Sequence, residues 1–414
     1  MKFPLKSANI KNVFLLIGSI VLGKGIVLLC TPFITRLYDP YLFGILALIL
    51  SFSRILFVIF SMRYELKFLN VDQEERFSVL QFLNTHVYTL FLLSILVCSL
   101  ITLGLDKPMY YLMVPFFALV IAMNNIHRFY NVASKNFNKI AVSEVIKGLG
   151  QGLIPLLAYF SSLFVPIGLV VSELSGWAGS VFSLSGVKRL TATQKFNTYL
   201  SNLKKAYREM LLTGSSKLLN VSTDEIIPIG IGFLFNNELL GLYFVAKKIM
   251  AVPISLITRS IGDVTNNAVS EIFLKSGANK AKNYLFKQFR LLVLAGLVFG
   301  VGVYFLIDFL IDIFLDEKYE KVSQIIKLSL VYYCGMLMVQ PLSNYFNIIG
   351  KYKVSLIWDI IRFSLVITSF VVGWLMDLGF DKFILLLSIC LFTGYLVFVF
   401  LLKFYKIKDD RTRV

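Results

Sequence analysis

The sequence predicts an all-α membrane protein with twelve membrane-spanning helices. The 414-residue chain is 57% hydrophobic and 15% aromatic, which is too apolar for a soluble globular protein. Its apolar residues also form runs long enough to cross a bilayer as helices. The predicted spans are residues 13–34, 42–64, 79–104, 109–133, 142–163, 165–185, 214–234, 239–267, 288–313, 322–350, 353–376 and 381–404.

The distribution of basic residues predicts the orientation of these spans. A net charge of +17 is compatible with nucleic-acid binding, but most Lys and Arg residues lie in alternate connecting segments, as the positive-inside rule requires. Both termini are therefore predicted to be cytoplasmic, and no nucleic acid is needed to explain the charge. The cytoplasmic ends carry Lys2, Lys6, Lys11, Lys406, Lys408, Arg411 and Arg413, whereas the outer turns carry only Arg36, Lys107, Lys318, Lys321 and Lys382.

A basic segment divides the chain in two. Residues 187–213 form a predicted cytoplasmic connector between an N-terminal six-helix lobe, 1–186, and a C-terminal six-helix lobe, 214–414, which ends in a basic cytoplasmic tail. Two such halves indicate an internal duplication, the usual basis of alternating access. Pro228, in "IIPIGIG", and Pro253 are predicted hinges, because proline removes a helical hydrogen bond and permits a bend.

Several charged residues lie inside the predicted spans. A cation at the centre of a membrane helix costs about 2.5–3.5 kcal/mol on insertion scales, so it normally faces a bundle interior or a hydrated cavity. Lys24 and Arg54 are about halfway along their spans. The cations counted in the spans are Lys24, Arg54, Lys217, Lys247, Lys248, Arg259, Lys327 and Arg362, whereas Arg128 and Lys147, towards the inner ends of the spans 109–133 and 142–163, are counted with the cytoplasmic segments.

Helical spacing places some of these cations on common faces. On the eighth span, Lys248, Ser255 and Arg259 follow spacings of seven and four residues. The same stripe reaches Asp263, which leaves open an ordinary ion pair with Arg259. On the seventh span, Lys217 shares a face with Asp224.

The acidic residues inside the spans have two interpretations. Asp224, Glu225 and Asp359 are candidates for exchange of a coupling proton or sodium ion. Asp359 lies three residues from Arg362, and this spacing favours an ordinary intrahelical ion pair. Glu173, among small residues in "VVSELSGWAGS", is predicted to form a hydrogen bond across a close helix contact.

Together, spans one, two, seven and eight are predicted to converge on a polar interior in which cations outnumber anions. This arrangement favours an anionic ligand, and phosphate fits best because lysine and arginine bind its oxygens through charge-assisted hydrogen bonds. No organic cofactor is predicted. The predicted ligand-binding residues are Lys24, Arg54 and Arg259, with Lys217 and Lys248 extending the positive charge.

An enzyme is not predicted. The chain has two histidines, His86 and His127, neither with metal-ligand partners at useful spacing, and no metal site is predicted. It has no GxxxxGK[ST] loop to bind a nucleotide. The outer turns are also too short for the substantial loop that we expect of a polysaccharide polymerase or ligase.

Three stretches resemble the polysaccharide transporter family, the O-antigen type of flippase within the multidrug/oligosaccharidyl-lipid/polysaccharide (MOP) superfamily. They are "TRLYDPYLFGILAL" (35–48), "MRYELKFL" (62–69) and "GLYFVAKKIMAVPISLITRSIGDV" (241–264). The similarity in hydropathy extends over the whole chain. The matching positions are Phe43, Gly44, Arg63, Tyr64, Glu65, Gly241, Tyr243, Ala246, Pro253 and Gly262.

This resemblance implies a fold, a cargo and a location. The implied fold has two six-helix lobes around a central cavity. The implied cargo is an oligosaccharide on undecaprenyl diphosphate, moved from the inner to the outer leaflet of a bacterial cytoplasmic membrane. Related flippases carry cavity arginines on helices one, two and eight, whose counterparts here are Lys24, Arg54 and Arg259. Lys24 keeps the charge but loses bidentate geometry.

The resemblance also bears on partners and on the closest alternative. Membrane lipids are expected partners of a protein that acts as a monomer, with polysaccharide polymerase and assembly proteins as further candidates. The alternative function is a cation-coupled multidrug antiporter of the same superfamily, which would present carboxylates to cationic substrates. The predicted basic excess disfavours it, although Asp224, Glu225, Asp263 and Asp359 keep it open.

Overall fold

The computed structural model describes residues 7–104, 108–160 and 167–405, and the regular secondary structure within these ranges is helical. The predicted all-α fold is therefore confirmed. Some predicted features lie outside the described residues, namely Lys2, Lys6, Lys107, Lys406, Lys408, Arg411, Arg413 and parts of the spans 142–163 and 165–185.

Fourteen α-helices occur in the described part of the chain, and two of them have only four residues. The short ones are α7 (Val187–Leu190) and α12 (Tyr345–Ile348). The others are α1 (Ser7–Leu37), α2 (Pro40–Ser61), α3 (Gln73–Gly104), α4 (Met113–Ala133), α5 (Phe137–Phe160), α6 (Gly168–Ser185), α8 (Phe196–Leu234), α9 (Asn237–Ser276), α10 (Ala278–Phe314), α11 (Lys321–Val339), α13 (Tyr352–Leu375) and α14 (Phe380–Phe404).

Ten helical segments within the described ranges are long and apolar enough to cross a membrane. They correspond to ten of the twelve predicted spans, and the chain is a multi-pass membrane protein. The other two spans, in α6 and α8, are helical in their described residues but are not among these ten segments. In α6 this reflects its serines, glycines and Glu173, and in α8 it reflects Lys217, Asp224 and Glu225.

The structure corrects several predicted boundaries. The second span was predicted to reach residue 64, but α2 ends at Ser61 because Met62 and Arg63 adopt left-handed backbone conformations, with φ of 46° and 58°. The span predicted at 322–350 is interrupted by a 3₁₀ segment, Gln340–Leu342. Pro341 lies at its centre, where its ring and missing N–H are incompatible with a continuous α-helix.

The chain divides into two compact units, Met1–Gly232 and Phe233–Val414. Most of α8 therefore belongs to the first unit, whereas the sequence assigned residues 214–234 to the second lobe. Contacts near residue 213 account for this grouping: Thr213 Oγ1 donates to the Met62 carbonyl at 3.2 Å, and Gly214 packs on Met62. The domain boundaries 1–186, 187–213 and 214–414 stay predictions.

Glycine contacts hold α1, α5 and α6 together in the first unit. Gly23 of α1 faces the backbone of α5 at Glu144 and Gly148, and Gly150 of α5 faces Gly176 of α6. A Cβ added at any of these glycines would overlap a neighbouring atom. Small residues at such contacts let helix backbones approach closely, which is how membrane helices gain packing energy.

An apolar core in the first unit joins the end of α2 to α3, α4 and α8. Its members are Phe60, Phe68, Leu80, Phe82, Leu83, Val87, Ala118, Ala122, Met123, Ile126, Val181, Tyr199, Ala206 and Met210. Beside it, Glu65 is only 4% exposed, and Asn125 Nδ2 donates to Glu65 Oε1 at 2.5 Å. Glu65 lies in the 3₁₀ helix Tyr64–Leu69, after the membrane span has ended. Burial raises the pKa of its carboxyl group.

The second unit has its own core, built from α9, α10, α11, α12, α13 and α14. Two buried hydrogen bonds connect these helices: the Tyr345 hydroxyl donates to the Ala278 carbonyl at 3.0 Å, and Trp358 Nε1 donates to the Gly394 carbonyl at 2.8 Å. The fully buried residues around them include Ala281, Phe346 and Phe398.

We predict that Gly23→Ala destabilises the protein by about 1–3 kcal/mol, because its methyl group would overpack the α1–α5 contact. Gly25→Ala is the matched control: it lies on the same helix, and a Cβ there would meet nothing within 4 Å. Thermal unfolding of the detergent-purified proteins should show a lower midpoint for Gly23→Ala alone. Equal midpoints for both variants would contradict the predicted contact.

We also predict that Glu65 makes stability depend on pH. The folded-state pKa lies above the ordinary value of 4.5, so the folded state binds more protons and loses stability as pH rises from 4.5 through the folded pKa. Glu65→Gln should remove this contribution and flatten the pH profile of the unfolding midpoint. Exposed Glu74→Gln should retain the wild-type profile, and an unchanged profile for Glu65→Gln would refute the prediction.

Candidate functional site

Arg54 forms an ion pair with a carboxylate on a helix that is distant in the sequence. It lies near the middle of α2, and its Nη1 is 3.0 Å from Oε1 of Glu225 on α8. The Arg54 side chain is 35% exposed and that of Glu225 is 8% exposed. The sequence singled out both residues but assigned them separate roles, and only the fold brings them together.

A second cross-helix ion pair lies in the same unit. Arg128 of α4 places Nη1 3.5 Å from Oε1 of Glu144 on α5. The side chains are 38% and 16% exposed, respectively. The sequence assigned Arg128 to a cytoplasmic segment, although it falls within the helical segment Met109–Ala133.

Lys147 is the third cation of this region, and the sequence also assigned it to the cytoplasmic side. It lies instead within α5, with Nζ 3.3 Å from the centroid of the Trp177 ring on α6. The Trp177 indole N–H donates to Oε1 of Glu173 at 3.2 Å, and the Gln151 amide donates to the same oxygen. The predicted role of Glu173, a hydrogen bond across a close helix contact, is therefore confirmed.

These residues form one electrostatic group, the first-unit charge cluster, defined as Arg54, Arg128, Lys147, Glu144, Glu173 and Glu225. Glu144, Glu173, Arg128 and Arg54 all act on Lys147 electrostatically, and Glu173 also acts on Arg54. The cluster thus contains three carboxylates and three cations. The excess of cations predicted for spans one, two, seven and eight stays a prediction.

The other predicted residues of the first unit lie on α1 and α8. Lys24 is partly buried and directly follows Gly23, which packs on α5 beside Gly148. This contact places the Lys24 and Lys147 backbones at neighbouring levels of adjacent helices. Lys217 and Asp224 are partly buried on α8, and Asp224 acts electrostatically on Arg54.

In the second unit, the predicted residues fall into two groups. Arg259 and Asp263 are both exposed on α9, and among the described residues they form no ion pair with each other. Lys248 is partly buried on the same helix. Asp359 and Arg362 form the expected intrahelical pair at 3.9 Å, and the Arg362 guanidinium also lies 5.0 Å from the Trp358 ring centroid.

The predicted hinge prolines are both inside long helices. Pro228 lies in α8 and Pro253 in α9, and each helix continues past its proline. Within the described ranges, no group of three or more His, Cys, Asp or Glu residues could hold a metal ion.

Sequence reasoning missed Lys147, Gln151 and Trp177. A signal for them is present in "KGLGQG" (147–152), where a cation and an amide four residues apart alternate with glycines inside an apolar helix. Glu173 and Trp177 have the same four-residue spacing next to Gly176 on α6. Polar side chains beside glycines in a membrane helix indicate a close helix contact with buried hydrogen bonds.

Comparison with known proteins identifies the family. Residues 33–324 match the family model described as polysaccharide biosynthesis protein. A sequence comparison with curated proteins gives no match.

Solved structures of MOP superfamily transporters share the fold. The structure of lipid II flippase MurJ in an inward closed conformation has a TM-score of 0.67 at 16% identity, covering 95% of this chain and 87% of that one. An inward-facing multidrug resistance MATE family transporter has a TM-score of 0.63 at 13% identity, covering 94% and 93%. A MOP superfamily transporter from Pyrococcus furiosus has a TM-score of 0.53 at 13% identity, covering 95% of each chain.

These structural neighbours are transporters and flippases rather than enzymes. The family match extends over more than half of the chain, and the fold agrees with it across nearly the whole length. The protein therefore belongs to the polysaccharide biosynthesis protein family and has the fold of the MOP superfamily transporters.

Proposed function

We propose that this protein is a flippase that moves an undecaprenyl-diphosphate-linked oligosaccharide, an O-antigen or similar repeat unit, from the inner to the outer leaflet of a bacterial cytoplasmic membrane. Family membership and the fold shared with a lipid II flippase support this substrate class. The observation that carries the proposal is Arg54, a guanidinium in the middle of α2 that is partly accessible and paired with Glu225.

Arg54 has the chemistry to bind the diphosphate. Its planar guanidinium can donate parallel hydrogen bonds to two phosphate oxygens, and such charge-assisted bonds strengthen where water is scarce. Glu225 Oε1, an oxygen of similar charge, accepts from Arg54 Nη1 at 3.0 Å. A phosphate oxygen can therefore replace this carboxylate oxygen as the acceptor.

Two further predicted ligands extend the proposed headgroup site within the first unit. Lys24 and Lys217 would add positive charge around the diphosphate, while the sugars occupy a hydrated cavity and the polyprenyl tail stays in the lipid. Lys248 and Arg259 are the proposed substrate ligands of the second unit. Alternating access would carry the headgroup across, with bending at Pro228 and Pro253. The protein would act as a monomer and deliver its product to polysaccharide polymerase and assembly proteins.

The Arg54–Glu225 pair also supports coupling to protons. If phosphate displaces Glu225, a carboxylate with an 8% exposed side chain loses its counter-ion, which is costly unless the group takes up a proton. Substrate binding and proton binding then favour each other, as linkage requires. Asp224 and Asp359 are the other proposed coupling residues, and sodium is the other proposed ion.

The alternative is a cation-coupled multidrug antiporter. The MATE fold similarity and the three carboxylates of the first-unit charge cluster support it. Efflux of cationic dyes from cells expressing the protein would favour the antiporter. Loss of surface polysaccharide on gene deletion, without a change in dye efflux, would favour the flippase.

We predict that Arg54→Gln abolishes surface-polysaccharide assembly in a complementation assay while the protein still inserts in the membrane. One charge-assisted hydrogen bond is worth about 1.5–3 kcal/mol, so the loss should exceed tenfold. Arg208→Gln removes the same charge from an exposed position of α8 and serves as the control. A normal amount of surface polysaccharide in the Arg54→Gln strain would show that Arg54 does not bind the substrate.

We predict that Glu225→Gln makes transport in reconstituted vesicles insensitive to a proton gradient, because glutamine cannot exchange a proton. Wild-type transport should respond to that gradient, and Glu209→Gln, at a more exposed carboxylate on the same helix, should behave like wild type. Wild-type transport that responds to neither a proton nor a sodium gradient would eliminate ion coupling.

A further inference from the structure

Lys147 is a cation within a membrane span, and among the described residues no carboxylate forms a direct ion pair with it. Within the described residues, its ammonium forms no ion pair or hydrogen bond, and its one direct partner is the face of Trp177. The two nearest candidates are otherwise engaged: Glu144 pairs with Arg128, and Glu173 Oε1 accepts from Trp177 and Gln151. Lys147 therefore differs from Arg54 and Arg128, whose charges are already paired.

An aromatic face attracts an ammonium but leaves available the N–H donors that point away from the ring. Lys147 is partly exposed, although it lies inside α5 beside the α1–α5 contact at Gly148. A lysine in this position of a membrane helix normally faces protein or a hydrated space rather than lipid. Its electrostatic interactions with Glu144, Glu173 and Arg54 show that it faces the polar groups of the first unit.

The surroundings of Lys147 are rigid. Gly150 and Gly176 bring α5 and α6 into backbone contact. The Glu173 carboxylate accepts a hydrogen bond from the Trp177 indole and so fixes the ring that contacts the Lys147 ammonium. Gln151 anchors that carboxylate from the other helix. The ammonium is consequently held in place before any ligand arrives, which reduces the entropy lost on binding.

We propose that Lys147, supported by Trp177, is a further oxyanion-binding residue of the first unit. This inference rests on the proposed function and deepens it, because it adds a substrate ligand on α5 within electrostatic range of Arg54. The oxyanion is either an oxygen of the lipid diphosphate or the carboxylate of an acidic sugar. Both sources offer the same chemistry to an ammonium group.

Binding to the full-length purified protein tests the proposal. If the diphosphate is the ligand, Lys147→Gln should raise the dissociation constant of undecaprenyl diphosphate about 10- to 100-fold, the effect of losing one charge-assisted hydrogen bond. Lys147→Arg should restore most of the affinity. Lys139→Gln, which removes an exposed lysine from the same helix, should leave the affinity unchanged.

A second probe distinguishes the two sources of the anion. An oligosaccharide containing a uronic acid is compared with its neutral counterpart. If the sugar carboxylate is the ligand, Lys147→Gln weakens binding of the acidic oligosaccharide and leaves undecaprenyl diphosphate unaffected. If the diphosphate is the ligand, the pattern is reversed. Wild-type affinity of Lys147→Gln for both probes overturns the inference.

A purely structural role for Lys147 makes a different prediction. If Lys147 only balances the charge of Glu173, then Glu173→Gln combined with Lys147→Gln should restore both affinity and the thermal unfolding midpoint. If Lys147 binds the oxyanion, the midpoint recovers and the affinity does not. Recovery of both overturns the inference. A wild-type protein that binds neither probe overturns the proposed function as well, so the two failures are distinguishable.

Discussion

The cost of placing charge inside a membrane organises the first unit. Each cation within a membrane span needs an anion, a polar group or an aromatic face to compensate for the water that it loses. Arg54 meets this need through Glu225, Arg128 through Glu144, and Lys147 through Trp177. These contacts join α2, α4, α5, α6 and α8, so the polar groups specify which helices are neighbours.

Close glycine packing makes this arrangement possible. Because Gly23, Gly148, Gly150 and Gly176 have no side chains, the backbones of α1, α5 and α6 approach closely enough for short polar side chains to meet across the contacts. Gln151 and Glu173 do so beside the Gly150–Gly176 contact. The close packing of these helices and the hydrogen bonds between their polar side chains therefore depend on the same glycines.

In the proposed function, the Arg54–Glu225 pair also limits how tightly a ligand binds. A phosphate group that replaced Glu225 would gain the Arg54 interaction but would have to compensate for the carboxylate that it displaces. A transporter benefits from such a balance, because a substrate held too tightly would not be released. Protonation of Glu225 would shift the balance toward binding, and the ion pair would then serve transport as well as stability.

The sequence alone determined the membrane fold, because apolar runs and the distribution of Lys and Arg are local properties of the chain. It also identified Arg54, Glu225 and Glu173 as unusual, since each is charged within an apolar run. The Arg54–Glu225 pair joins residues 171 positions apart, and the contact of Lys147 with Trp177 joins different helices. Only the tertiary structure decided these partners, because helical periodicity shows which residues share a face but not which helices those faces meet.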